Sequence, residues 1–83
     1  MTLKITLENK IKNIFKKELQ IKVTLKNKIY DFKNWDSLGN FNLLLSCEKI
    51  FKIKFNAKEF NKTNSYKELL KLIKKKILIL KKI

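Results

Sequence analysis

A serine directly follows an aspartate at Asp36-Ser37-Leu38, just where an apolar helical period begins. Asp36 is a strong N-cap candidate, because its carboxylate can accept hydrogen bonds from the free backbone amides of a first turn and favours the positive end of the helix dipole. Ser37 would then lie at the surface beside those amides, a position suited to holding a phosphate group as an ester. Without context, the same pair also reads as an ordinary helix cap. The rest of the chain offers little other chemistry. It has no His and a single Cys, Cys47, which removes intramolecular disulfides, Cys/His zinc patterns and every triad or dyad that needs an imidazole. No catalytic residue and no metal site is expected. Cys47 reads as a small buried apolar group.

The elements that must position Ser37 can be read from periodicity. The 83 residues make one domain, spanning 1–83, too small to enclose a deep catalytic cavity, so the chain is not expected to be an enzyme. With no Pro and only Gly39, the usual punctuation of β-hairpins is missing and helices are favoured. Leu3, Leu7, Ile11, Ile14, Phe15 and Leu19 recur at steps of three and four and predict a first helix over about 3–19, with Thr2 or Thr6 as its cap. Gln20 to Asn34 lacks a period and predicts a long loop, which must pack Val23, Leu25, Ile29 and Phe32 to stay ordered. Leu38, Phe41, Leu44, Leu45, Ile50 and Phe51 form the apolar stripe of a second helix over about 37–51, broadened by Leu43 and Cys47. Asn56 and Ser65, each followed three residues later by Glu, mark a short third helix over about 57–61 and a fourth over about 66–80. In the fourth, Tyr66, Leu69, Ile73, Ile77 and Leu80 keep one face apolar, while Lys74, Lys75, Lys76, Lys81 and Lys82 suit the negative end of the dipole. The expected fold class is all-α: a four-helix bundle with a long first loop and a short third helix.

The run Asn34-Trp35-Asp36-Ser37-Leu38-Gly39-Asn40-Phe41-Asn42-Leu43 resembles the attachment region of acyl carrier proteins, where Asp-Ser-Leu opens the second helix. Without a gap, Glu48, Phe51, Ile53, Phe55, Glu59, Ser65, Tyr66, Leu70 and Ile73 fall where that family keeps its helix-two acid, its short third helix and its capped fourth helix. The resemblance covers about residues 3 to 77 and is strongest from Trp35 to Ile73. It implies a 4'-phosphopantetheine arm on Ser37, attached by a phosphopantetheinyl transferase whose magnesium ion Asp36 helps to position. The arm's thiol would carry acyl groups as thioesters for a fatty-acid-related or specialised biosynthetic pathway. An acyl-loading ligase or synthase and acyltransferases would be the partners. The resemblance further suggests a monomer, a Trp35 that anchors the loop before Ser37, and Leu38, Phe41 and Glu48 as contacts for acyl chains or partner enzymes. A D-alanyl or other aminoacyl carrier would share all these features and differ in its loading ligase.

The departure from that family is electrostatic. All twenty-one basic residues are Lys, against seven acids, for a net charge of +14. Residues 1–30 hold eight Lys against Glu8 and Glu18, a net of +6, and residues 62–83 hold eight against Glu68, a net of +7. The middle, residues 31–61, has five Lys against Asp31, Asp36, Glu48 and Glu59, a net of +1. The exposed face of the second helix is expected to show Gly39, Asn40, Asn42, Ser46, Glu48, Lys49 and Lys52, with Glu48 its only acid. Acyl carrier proteins are typically acidic there, so a dedicated partner is expected. No specific nucleic-acid partner is expected, since Arg, the residue of bidentate guanine contacts, is absent. Frequent Lys, Asn, Ile and Phe also match the amino-acid bias of an AT-rich genome. More distant alternatives are a Lys-rich helical domain binding nucleic-acid phosphates, or one associating with a membrane surface through residues 74–83. With no apolar run of signal-peptide or membrane-spanning length, the default location is cytoplasmic.

Overall fold

The computed structural model describes residues 3–82, with side-chain environments from Leu7 to Ile79. The Thr2 cap and the side chains of Leu3, Leu80, Lys81 and Lys82 lie outside the described residues, whereas Thr6 is already inside the first helix and so does not cap its start. Four helices follow one another: α1 (Leu3–Leu19), α2 (Ser37–Phe51), α3 (Ala57–Lys62) and α4 (Tyr66–Lys82). The only strand-like pairing among the described residues is an isolated antiparallel bridge between Lys28 and Ser65. No described helix is long and apolar enough to cross a membrane.

α1 buries Ile11, Ile14, Phe15 and Leu19 and turns its Lys and Asn residues outward. It packs chiefly against α2. The face that α2 buries differs from the expected stripe. Leu43, Leu44 and Cys47 face the core together with Gly39 and Asn40, whereas Leu38, Phe41, Leu45 and Ile50 are exposed. Apolar residues occur on nearly every side of this helix, so periodicity alone does not choose a face; contact with α1 does. Burial pushes the Cys47 thiol up to about 12, with Glu18 adding to the effect, which keeps it protonated at neutral pH.

In α4, Tyr66, Leu69, Leu70 and Ile73 complete the core. The Phe15 ring stands edge-on to Trp35 at 4.9 Å and to Tyr66 at 5.6 Å, joining α1, the long loop and α4 in one aromatic cluster. Tyr66 Oη has no hydrogen-bond partner among the described protein atoms, and burial, aided by Glu8, raises its pKa. Because α4 runs on to Lys82, Lys74 to Lys76 lie well before its last turn rather than at the dipole end. Lys76 instead pairs with Glu59 of α3 at 2.9 Å.

The segment 20–36 is ordered by its own side chains rather than by glycine or proline. Asn27 Oδ1 accepts from Thr24 N at 2.8 Å, and Asp31 Oδ2 accepts from Lys28 N at 2.8 Å. Within the segment, Ile21 and Val23 are buried in the core, and Ile29 and Phe32 are partly buried against it. Leu25, expected to pack, is 60% exposed, because it sits in the turn that Thr24 and Asn27 close.

Candidate functional site

The site is the start of α2. Asp36 caps the helix from an extended backbone, its Oδ1 accepting from Gly39 N at 2.8 Å, while Asn40 N donates to Asp36 O at 2.8 Å. Ser37 is therefore the first helical residue, and its side chain is exposed. Gly39 lets the preceding loop come close, since a Cβ there would run into the Asn34 carbonyl oxygen and crowd the Leu19 side chain. Asn34 Nδ2 donates to Leu19 O at 3.2 Å, so the loop before Ser37 is tied to the end of α1.

Two polar contacts behind the serine were not legible in the sequence. Asn40, expected on the outer face, is buried. Its Oδ1 accepts from Trp35 Nε1 at 2.9 Å and its Nδ2 donates to Thr63 O at 2.9 Å. This amide bridges the loop before the site to the α3–α4 junction, and Trp35, at 1% exposure, is locked between it and Phe15. A tryptophan N–H in a core needs a partner, and that need is the one sequence signal that could have pointed inward from Asn40. The second contact joins Tyr30 Oη and Ser37 Oγ at 2.7 Å. Nothing in the local pattern announces it, because the residues are seven apart across a turn.

Of the other expected contacts, Leu38 is 68% exposed next to Ser37, and Phe41 is 47% exposed. Phe41 meets Phe60 of α3 at 5.2 Å between ring centroids. Ile29, Tyr30, Ser37, Phe41, Phe60 and Asn64 line a shallow cleft of about 250 Å³ that opens at the serine. Leu38 is not among its lining residues. Larger grooves lie between α3 and α4 (about 530 Å³) and along α1 (about 550 Å³), and none of Asp36, Ser37, Leu38, Phe41 and Glu48 lines either.

Glu48 is turned inward rather than outward. Its Oε2 accepts from Phe55 N at 2.7 Å and its carbonyl from Ile53 N at 3.1 Å, holding the α2–α3 connection. The outer face of α2 consists of Leu38, Phe41, Asn42, Leu45 and Lys49, with Lys52 at the C-cap. These residues include no carboxylate. Glu59 is also engaged: burial pushes its carboxyl up, but the Asn56 backbone N–H, Lys76 and Lys75 outweigh this and hold it below the usual carboxylate value.

No family model matches the chain, and no curated protein matches it in sequence.

Proposed function

We propose that this protein is a carrier whose Ser37 bears a 4'-phosphopantetheine arm. The observation that carries the proposal is an exposed serine hydroxyl on the first residue of α2, directly after an N-capping aspartate and at the mouth of a cleft between α2 and α3. A phosphodiester formed there would meet the free amides of the first turn and the positive end of the dipole. Asp36 spends Oδ1 on Gly39 N while its side chain stays exposed, which suits the role of positioning a transferase's magnesium ion. When bound, the arm supplies a thiol that carries an acyl group as a thioester; this chain contributes attachment, direction and a high effective concentration. At about 250 Å³, the cleft is below the size of ordinary ligand pockets, about 300–1,000 Å³. It suits the root of an arm and part of a short acyl group rather than a long chain.

The partner surface follows from the outer face of α2. Leu38, Phe41 and Leu45 form an apolar ridge beside Ser37, bordered by Lys49 and Lys52, while Glu48 and Glu59 are engaged within the chain. A partner that fits this face presents an apolar socket rimmed by carboxylates. The decisive experiment is intact mass after co-expression with a broad-specificity phosphopantetheinyl transferase. A gain of one arm, absent in Ser37→Ala, supports the proposal, and no gain with several transferases refutes it.

One observation favours a second reading, membrane-surface association. Leu78 and Ile79 are exposed on α4, and Ile79 lines an apolar groove with Ile53 among Lys52, Lys54 and Lys76. Co-sedimentation with anionic vesicles, lost on removing residues 74–83, would support it; no binding at low salt would exclude it.

A further inference from the structure

Packing does not explain the contact between Tyr30 and Ser37. Tyr30 is 67% exposed, so burial does not hold its ring in place. Its backbone has φ 75°, in the left-handed region that an aromatic residue enters only under constraint. Two backbone bonds supply the constraint: Ile29 N donates to Asn64 O, far along the chain, at 2.8 Å, and Tyr30 N donates to Trp35 O, five residues on, at 2.7 Å. Asp31 closes the turn from the other side, its N donating to Lys28 O at 3.0 Å and its Oδ2 accepting from Lys28 N at 2.8 Å. A strained and doubly anchored turn therefore delivers an exposed phenol to one serine hydroxyl, 2.7 Å away.

We infer that Tyr30 is a positioning residue for the arm: it holds the Ser37 hydroxyl before attachment and donates its own proton to the phosphodiester afterwards. The inference rests on Ser37 being the attachment point proposed above. Proton bookkeeping forces the exchange of roles. Before attachment, either oxygen can be the donor. Attachment forms the Ser37 Oγ–phosphorus bond, breaks the phosphorus–oxygen bond to the nucleotide half of coenzyme A, and sends the serine proton to the transferase. Oγ is then an ester oxygen without hydrogen, and only Tyr30 Oη retains a proton to give. The phosphodiester's charged oxygens are better acceptors than the hydroxyl they replace. Tyr30 also lines the cleft that opens at Ser37. Fixing the phosphodiester against its phenol therefore sets the direction in which the arm leaves the protein.

The test uses full-length wild type and Tyr30→Phe, each loaded with coenzyme A by a broad-specificity transferase and checked by intact mass. Phosphorus NMR reads the attached phosphodiester, and carbon NMR of labelled tyrosine reads the phenol carbon of Tyr30. Phe keeps the ring and removes only the hydroxyl that meets Ser37. The expected result has three parts: both proteins load, the Tyr30 phenol carbon shifts on loading, and the phosphorus signal of loaded Tyr30→Phe is displaced from that of the wild type. The carbon measurement is made in Tyr66→Phe, which leaves Tyr30 as the sole tyrosine, and stands even if Tyr30→Phe fails to fold. Loading with an unmoved phenol carbon and identical phosphorus signals overturns this inference and leaves the attachment reading intact. Failure of the wild type to load overturns both.

Discussion

Replacing Asn40 by Leu removes the amide that joins Trp35 to Thr63 while keeping the branched shape of the side chain. It leaves two groups unpaired, Trp35 Nε1 and Thr63 O, in residues that are 1% and 5% exposed. Each stranded buried group costs about 1–3 kcal/mol, and the better helix propensity of Leu returns less than ~0.7 kcal/mol. The net loss is therefore about 1.3–5.3 kcal/mol. At roughly 0.05–0.15 kcal/mol per residue, a chain of this length has about 4–12 kcal/mol of stability in total. The substitution should consume a large part of it. Each kcal/mol lowers the melting temperature of a domain this size by about 4–8 °C, so a fall of at least ~5 °C is expected. Thermal unfolding followed by far-ultraviolet circular dichroism measures it. A double-mutant cycle with Trp35→Phe isolates the mechanism: once the indole N–H is gone, Asn40→Leu should cost at least ~1 kcal/mol less than in the wild type. A fall below about 4 °C, or strict additivity in the cycle, refutes the view that this amide holds the loop before Ser37 to the α3–α4 junction.

Tyr66→Phe should leave stability unchanged or raise it by up to about 1 kcal/mol, because the hydroxyl it removes is buried without a partner among the described residues; a clear drop in denaturant midpoint would contradict this. Glu48→Ala should destabilise by roughly 1–2 kcal/mol through the stranded Phe55 amide, and should change arm attachment by a transferase little, since the carboxylate is already engaged; the two readouts are denaturant titration and loading rate. The Glu59 carboxyl has a folded pKa below its ordinary 4.5, so its contribution to stability is complete above that pH and is lost as pH falls through the lower folded value. The stability profile of Glu59→Gln should accordingly be flatter than the wild type below about pH 4.5 in acid titrations followed by circular dichroism. Cys47, fully buried with its thiol pushed up to about 12, should react with an aromatic disulfide reagent at a rate set by unfolding. Fast labelling that rises with reagent concentration in native buffer would show otherwise.

The helix caps were legible in the sequence, although the equally local Thr24–Asn27 and Lys28–Asp31 bonds of the long loop were not. Asp36 before Ser37, Asn56 with Glu59, and Ser65 with Glu68 each appear as caps, because the partners lie within one turn of each other. The apolar spacing of α1 was equally plain, since one face of that helix is polar throughout. In α2 apolar residues surround the axis, and packing against α1 decided that Leu43, Leu44 and Cys47 go in while Leu38, Phe41 and Leu45 stay out. The Asn40 bridge, the inward turn of Glu48 and the meeting of Tyr30 with Ser37 were decided only in three dimensions. Each joins groups held in place by chain segments whose relative positions come from the whole core. Sequence by itself determined which residue could be a phosphate-bearing serine, because a helix start is a local event. The tertiary structure decided what surrounds that serine, because a cleft, a phenol and a face without free carboxylates arise only once the helices have packed.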